Sequence, residues 1–157
     1  MLKEFKNFVE KNNLIEKGDK ILLALSGGVD SMVLAKLLIL YSQRTSSTVN
    51  SQSQCHLSFA HCNFHLRGDD SNRDENFVRK FAEENNIPLF VKHFDTELYA
   101  KENSLSIEMA ARELRYSWFK ELKENYDFNK VALAHHGDDQ IETFFINFLR
   151  GSGIKGL

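Results

Sequence analysis

The stretch that decides the fold is Ile21–Ser31, which reads ILLALSGGVDS. Its first five residues, Ile21–Leu25, are all apolar, as in a strand that is buried on both faces of a sheet. The next six, Ser26–Ser31, contain two adjacent glycines and open a helical pattern. Glycines lack a Cβ atom, so the backbone can turn sharply there and approach a ligand closely. The stretch therefore predicts a strand, a tight anion-binding turn and a helix.

Strand and helix patterns go on alternating through the rest of the chain. Three more short apolar runs predict strands, at Leu57–Ala60, Leu89–Val91 and Val131–Ala134. Apolar residues at helical spacing predict helices at about 31–43, 71–85, 106–125 and 139–150. This alternation is typical of an α/β fold, here an open parallel sheet with helices on both faces, similar to the Rossmann arrangement. At about 100–200 residues per domain, residues 1–157 are expected to form one domain.

Composition excludes several classes of protein. The chain is 42% apolar and 27% charged with a net charge of −2, which is typical of a globular domain and not of a disordered chain. The richest apolar run, Met32–Tyr41, is only ten residues long and contains Lys36, so no membrane partner is expected. Two cysteines are too few for a disulfide-rich secreted protein, and a cytoplasmic location is expected. The polar segment 42–54 is interpreted as a surface loop of unknown role.

The turn at Ser26–Ser31 is the strongest candidate for a binding site. The backbone amides of Gly27, Gly28 and Val29 and the hydroxyls of Ser26 and Ser31 could bind phosphate at the positive end of a helix. Asp30 could cap that helix or hold Mg²⁺. A plain strand–turn–helix corner is the alternative interpretation. The string lacks the lysine of the GxxxxGK[ST] loop and is not GxGxxG, so neither of those nucleotide sites is predicted.

Polar residues also follow two other predicted strands, at the edge of the sheet where parallel strands end together. His61 ends the second strand, and the last strand leads into HHGDDQIET, which contains Asp138, Asp139 and Glu142. Ligands of open parallel sheets bind at that edge, so these residues are candidate site residues. Asp139 and Glu142 also have the spacing of a helix cap, which is the alternative. Zinc is disfavoured, because the cysteines and histidines at 55–65 match no zinc-binding spacing.

Two arginines on the predicted 106–125 helix are further candidates. Arg112 and Arg115 lie one turn apart, so their guanidinium groups are expected on one side of the helix, where they could bind phosphate. Arg112 also lies four residues after Glu108, so an ordinary surface pair is the other interpretation.

SGGVDS resembles the SGGxDS loop of the PP-loop ATP pyrophosphatases. Four stretches together resemble the N-terminal catalytic domain of the tRNA(Ile)-lysidine synthetase family: SGGVDS, AHCNFHLRGDDSNRDENFVRKFA, SIEMAARELRYSWF and ALAHHGDDQIETFFINFLRGSG. The resemblance implies a ligase that uses ATP and Mg²⁺. Its expected partners are tRNA(Ile) with a CAU anticodon and free L-lysine. ATP adenylates O2 of the wobble cytidine with release of pyrophosphate, and the amine of lysine then displaces AMP to form lysidine.

The resemblance also implies roles for individual residues. Those expected to take part in catalysis are Asp30, Arg112, Arg115, Asp138, Asp139 and Glu142. Residues 26–31 and His61 are expected to bind ATP, and Asp30 and Asp139 to hold Mg²⁺. Whether the acidic residues bind lysine or the metal stays open, as do the general base and a homodimer.

The family continues past this domain into tRNA-binding regions that the 157 residues lack. The chain is therefore expected to be truncated. Three alternatives remain: a related tRNA thiolase, a small-molecule amidating synthetase of the GMP synthetase type, and an ATP-binding fragment that is inactive without its C-terminal region.

Overall fold

The computed structural model describes residues 1–43 and 55–134, together with the backbone of His135 and of residues 145–146. Its helices are α1 Leu2–Lys11, α2 Val29–Gln43, α3 Asp69–Glu84, α4 Thr96–Glu102 and α5 Ile107–Tyr126. Its strands are β1 Asp19–Ala24, β2 Cys55–Asn63, β3 Leu89–His93, β4 Lys130–His135 and β5 Phe145–Ile146. No helix in the part of the chain that the structure describes is long and apolar enough to cross a membrane.

The strands form one sheet in the order β3-β2-β1-β4-β5. The first four are parallel, and β1 lies between β2 and β4, with Ala24 beside Ala60 on one side and Leu133 on the other. Along the chain, β2 and β3 are thus added on one side of β1, and β4 and β5 are then added on its other side. This reversal of strand order is where open α/β sheets bind their ligands, at the carboxyl ends of the strands. The predicted α/β class is confirmed.

Helices cover both faces of the sheet, as the sequence predicts. Ile21 and Leu23 of β1 pack in one core cluster with residues of α1, α2 and α3, whereas Leu22 packs in the other with Trp118 and Phe119 of α5. Successive residues of a strand point to opposite faces, so an uninterrupted apolar run fills both cores. The run Ile21–Leu25 is almost fully buried for this reason, with only Ala24 partly exposed.

The predicted helix at 139–150 is wrong at the two of its residues that the structure describes. Phe145 and Ile146 are extended and pair antiparallel with β4, so that His135 faces Phe145 and Ala134 faces Ile146. Aromatic and β-branched residues favour strands as readily as they fill the apolar face of a helix. The open edge of β4 also offers unpaired backbone groups. The sheet is therefore mixed rather than wholly parallel, and the remainder of 139–150 lies outside the described residues.

Smaller differences concern the ends of elements and one short helix. β2 is longer than the predicted 57–60, and α3 begins at Asp69 rather than at 71. The short helix α4 was not predicted; it begins where Asp95 accepts a hydrogen bond from the amide of Leu98 at 3.1 Å. Of the predicted loop at 42–54, Ser42 and Gln43 belong to α2, and residues 44–54 lie outside the described residues.

Candidate functional site

The turn between β1 and α2 is held together by its two serines. The hydroxyl of Ser31 donates to the carbonyl of Gly28 at 2.8 Å, and the hydroxyl of Ser26 donates to that of Ser31 at 3.1 Å. Ser26 also accepts a hydrogen bond from the amide of Gly28 at 3.2 Å. The first amides of α2 have no partner within the helix, as at every helix N-terminus. The turn therefore presents backbone donors at the positive end of a helix, which suits an anion.

Gly27 cannot be replaced without strain. Its φ of +86° lies in the left-handed region, and a Cβ atom there would be 3.2 Å from Cβ of Asp74 on α3. Asp74 in turn forms an ion pair with Arg67 in the β2–α3 loop. In the sequence, Ser71–Asp74 has only the pattern of a helix start. The structure shows instead that α3 packs directly on the glycine turn, so Asp74 is a residue of the site that sequence reasoning missed.

A cleft of about 100 Å³ opens beside the turn, on the face of the sheet that α5 covers. It is lined by Ala24, Leu25, Ser26, Ser31, Ala60, Cys62, Phe64, Arg115, Phe119, Leu133 and Ala134. These residues come from the carboxyl ends of three neighbouring strands, from the turn and from α5. The cleft thus combines an apolar floor with hydroxyl groups and one guanidinium group, which is a common composition for a small-molecule site.

The two candidate arginines have different surroundings. Arg115 lines the cleft with Ser26, and its guanidinium lies 5.4 Å from the centre of the Phe64 ring. Arg112 is exposed, and its guanidinium lies 5.3 Å from the ring of Tyr116 on its own helix. The prediction that both arginines serve one site is therefore supported by cleft contacts only for Arg115. Because β3 and β4 are parallel, α5 runs antiparallel to the strands, which puts Arg112 nearer the carboxyl edge.

His61 forms a buried hydrogen bond to the residue that precedes the glycine turn. Its side chain is only 3% exposed, and Nδ1 lies 2.7 Å from the carbonyl oxygen of Leu25, the residue before the turn. A carbonyl can only accept, so Nδ1 carries the hydrogen and donates it. His61 thus fixes the position at which the turn leaves β1. A direct contact of His61 with ATP stays a prediction.

Cys62 lies in the cleft on the opposite face of β2 from His61, as the alternation of the strand requires. Burial raises the pKa of its thiol to about 12, although the nearby Arg115 favours the thiolate. Cys62 therefore lines the cleft as a neutral, unreactive thiol at physiological pH.

The structure describes one of the acidic residues that the sequence predicts to hold Mg²⁺ or lysine. Asp30 lies in the first turn of α2 and is half-buried, and a carboxylate beside bound phosphates is the type of ligand that Mg²⁺ prefers. Among the described residues, no group of three or more His, Cys, Asp or Glu side chains is arranged so that it could hold a metal ion. Asp138, Asp139 and Glu142 lie outside the described residues, so their roles stay predictions. The chain does leave β4 at His135, at the same edge of the sheet as Ser26.

Comparisons with known proteins agree with this geometry. A family model described as a PP-loop domain matches residues 1–157. The tRNA(Ile)-lysidine synthase of Bacteroides thetaiotaomicron is 47% identical over 150 residues, which are 96% of this chain and 32% of that protein. The synthase of Clostridium acetobutylicum is 37% identical over the whole chain and 32% of its own length. That of Chlorobaculum tepidum is 43% identical over 99% of this chain and 44% of its own length.

A solved structure shares the fold. It is the U34-tRNA thiolase NcsA from Methanococcus maripaludis with its [4Fe-4S] cluster, with a TM-score of 0.68 over 86% of this chain and 46% of that one. At 21% identity this likeness concerns the fold alone. The chain spans about a third of the length of most of the curated relatives it matches. With its glycine turn on β1 and a family model that matches every residue, the chain belongs to the PP-loop domain family.

Proposed function

We propose that this chain is the ATP-binding catalytic domain of a ligase that attaches lysine to the wobble cytidine of tRNA(Ile) with a CAU anticodon. The reaction has two steps. O2 of the cytosine attacks the α-phosphorus of ATP and releases pyrophosphate, which leaves a cytidine adenylate. The amine of lysine then attacks C2, and the bond between C2 and the AMP oxygen breaks. Adenylation is needed because a carbonyl oxygen is a poor leaving group and AMP is a good one.

In the first step the domain would stabilise the charge that develops on pyrophosphate. The hydrogen bonds of Ser26 and Ser31 fix the amides of the turn in place before the reaction, and such fixed donors lower the barrier of a charge-forming step. The two hydroxyls would turn from these partners to donate to the phosphates. Arg115 is the cation in the same cleft. Asp30 and Asp139 would hold Mg²⁺, which neutralises phosphate charge when bound. Arg112, nearer the edge, would contact the nucleotide or the RNA.

In the second step the acidic residues after β4 would hold the substrate amine. Asp138, Asp139 and Glu142 follow the strand that lies beside β1, so the segment they belong to starts next to the glycine turn. Carboxylates attract the cationic groups of lysine, and they could share the metal as well. The tRNA itself would be captured largely by regions beyond this domain, because the domain has a net charge of −2 and RNA affinity requires clustered basic residues.

The observation that carries the proposal is the convergence of the glycine turn, Ser31 and Arg115 on one cleft, in a chain 37–47% identical to proteins named tRNA(Ile)-lysidine synthase. The thiolase alternative has less support. Cys55 and Cys62 are the chain's only cysteines, and they lie at opposite ends of β2 and in different core clusters. At about 3.3 Å per residue they are roughly 20 Å apart, too far to act as a pair in sulfur transfer.

Lysine transfer is the direct test. The full-length protein is incubated with ATP, radiolabelled lysine and a tRNA(Ile) transcript with a CAU anticodon, and label in RNA is measured with AMP and pyrophosphate. We expect one AMP and one pyrophosphate for each lysine incorporated, and no incorporation when the wobble cytidine is replaced by uridine. Incorporation of sulfur, or ATP cleavage without lysine transfer, would contradict the proposal. The 157-residue chain alone should bind ATP and transfer nothing, and its tRNA affinity should depend less steeply on salt.

A further inference from the structure

A hydrogen-bonded line of three titratable side chains lies at the carboxyl edge of the sheet, outside the cleft. Nε2 of His65 is 2.8 Å from Nδ1 of His93, and Nε2 of His93 is 3.2 Å from Oε2 of Glu75. The two ring planes are inclined by 27° with centres 5.0 Å apart, as expected for rings that lie side by side and share a hydrogen bond. Glu75 lies on α3, His93 ends β3, and His65 follows β2. Nothing in the proposed function so far uses this line.

The partners fix which nitrogen of each ring carries a hydrogen. A carboxylate can only accept, so Nε2 of His93 donates to Glu75, and Nδ1 of a neutral His93 is then an acceptor. Nε2 of His65 must therefore donate to His93, which leaves Nδ1 of His65 with its lone pair available. Nδ1 of His65 can take up a proton without breaking any hydrogen bond in the line. The line is thus built to accept a proton at its exposed end.

The buried end of the line is held as a negative charge. Glu75 is 8% exposed; burial raises its pKa, but hydrogen bonds from Asn63 and Arg79 and the charge of Arg79 are among the effects that outweigh burial and lower it overall. Asn63 lies 2.8 Å from Glu75, and Arg79 lies 2.8 Å from the other carboxylate oxygen. An ionised carboxylate stabilises an imidazolium formed further along the line, as in carboxylate–histidine pairs of enzymes.

Residues before and after His65 in the chain contact parts of the candidate nucleotide site. The preceding residue, Phe64, lines the cleft under Arg115, and its carbonyl accepts a hydrogen bond from Thr96 at 3.0 Å. Two residues after His65, Arg67 is ion-paired with Asp74, the side chain that packs against Gly27. Together with Arg79, which pairs with Glu75, these are charged groups that the loop and α3 contribute near the line. His65 therefore belongs to the rim that a substrate at the cleft must approach.

The backbone of His65 points to a role for its side chain. Its φ is +54°, in the left-handed region where glycine is the favoured residue. Strained conformations persist only where the surrounding structure fixes them, and they are common at functional sites. The amide of His65 is also held by Oδ1 of Asn63 at 3.1 Å, so the strained position is fixed by a side chain that is itself buried.

We propose that Glu75, His93 and His65 form a proton relay in which Nδ1 of His65 accepts the proton that the substrate ammonium group must lose before it attacks. This inference rests on the proposed function and adds its missing base. The ammonium gives one proton to His65, and the freed lone pair of the amine forms the bond to C2. The C2–O bond breaks, with its electron pair leaving on AMP. A second proton leaves to water as AMP departs, and the third hydrogen stays on the nitrogen of the product. His93 and Glu75 are positioning residues that set the tautomer of His65.

The test separates the two chemical steps in the full-length protein. In His65→Gly, the backbone keeps a residue suited to its positive φ while the imidazole is lost, so folding should be preserved. We expect pyrophosphate release within twofold of wild type and single-turnover lysine transfer about 100-fold slower, as when a general base is removed. Transfer should then keep rising with pH through the alkaline range, and added imidazole should restore it. His93→Gln should slow transfer and change the pH profile in the same direction.

Controls make each outcome decisive. His56 is exposed at the other end of β2, so His56→Gln should change neither step. If the wild-type protein transfers no lysine, the proposed function itself fails and the relay fails with it. If the wild type transfers lysine and His65→Gly is equally fast, or loses only tRNA affinity without imidazole rescue, the relay alone is overturned. Nitrogen-15 shifts of the resting protein give a second readout: Nδ1 of His93 must lack a hydrogen, and a protonated Nδ1 contradicts the relay.

Discussion

Replacing Gly27 by alanine separates the need for a left-handed backbone from the need for space beside α3. Two glycines of the chain have almost the same φ, +86° at Gly27 and +88° at Gly18. A Cβ atom at Gly18 would meet nothing within 4 Å, whereas at Gly27 it would lie 3.2 Å from Cβ of Asp74. Gly18→Ala is therefore a matched control for the backbone effect. The difference between the two variants reports the packing of α3 on the turn.

The expected sizes follow from these contacts. A left-handed alanine costs about 1–2 kcal/mol, so Gly18→Ala should lower the unfolding free energy by that amount. For a chain of this size that is a fall in Tm of roughly 2–8 °C. Gly27→Ala adds a contact that Asp74 or the turn must move to relieve, and overpacking costs about 1–3 kcal/mol more. Because we propose that the turn binds phosphate through its backbone amides, we expect a shift of the turn also to weaken ATP binding at least tenfold.

Thermal unfolding and calorimetric titration with ATP and Mg²⁺ measure both effects. Gly18→Ala should keep wild-type nucleotide affinity, and Gly27→Ala should lose it. Asp74→Gly in the Gly27→Ala background should recover part of the stability, because it removes the atoms that the new Cβ meets. If Gly27→Ala binds ATP like the wild type and unfolds at the same temperature as Gly18→Ala, α3 does not constrain the turn and the reasoning is refuted.

Three further predictions concern other parts of the domain. Asp19→Asn should lower the unfolding free energy by about 3–5 kcal/mol in denaturant titrations, because it removes the carboxylate charge beside the buried ammonium of Lys130. Burial raises the pKa of Asp19, but the hydrogen bond from Lys130 and its other partners lower it overall. The wild type should therefore lose this stability only as pH falls below the ordinary value of 3.8. The Asp19→Asn variant should lack that pH dependence. Arg115→Met should weaken ATP binding at least tenfold while Arg112→Met changes it less than threefold, and equal losses in titrations would contradict the cleft as described. Cys62 should resist iodoacetamide at pH 8, because a pKa of about 12 leaves about 1 in 10⁴ of its thiol ionised; mass spectrometry showing rapid labelling would contradict its burial.

The parts of the fold that sequence predicted are those in which local pattern and burial agree. Ile21–Leu25 and Val131–Ala134 are uninterrupted apolar runs, and each lies in a strand buried on both faces. The glycine turn was also visible, because a left-handed backbone at Gly27 and an Asp in the first turn of α2 leave a signature within six residues. The sequence therefore predicts an element wherever its conformation depends only on residues close to it in the chain.

The contacts that sequence missed join elements that lie far apart in the chain. In the sequence Asp74 belongs to a helix start, and only the packing of α3 against β2 brings it against Gly27. The line from Glu75 to His65 requires that β2 and β3 be neighbours, with Asn63 beside His93 in register. The 139–150 pattern failed at Phe145 and Ile146 for a related reason, since pairing with β4 depends on an open edge that the local pattern does not encode.

The candidate binding site and the buried ion pair lie at opposite ends of the parallel strands. At the carboxyl edge α2 leaves β1 toward one face, while α5 covers the other, so the space above β1 stays open between them. The turn presents amides from the first side and Arg115 a cation from the second, so we expect a bound phosphate chain to lie across the strand ends. At the opposite edge Asp19 and Lys130 join the starts of β1 and β4. Asp19→Asn should accordingly lower stability without changing ATP affinity at temperatures where the protein is folded, and a parallel loss of affinity would show that the edges are coupled.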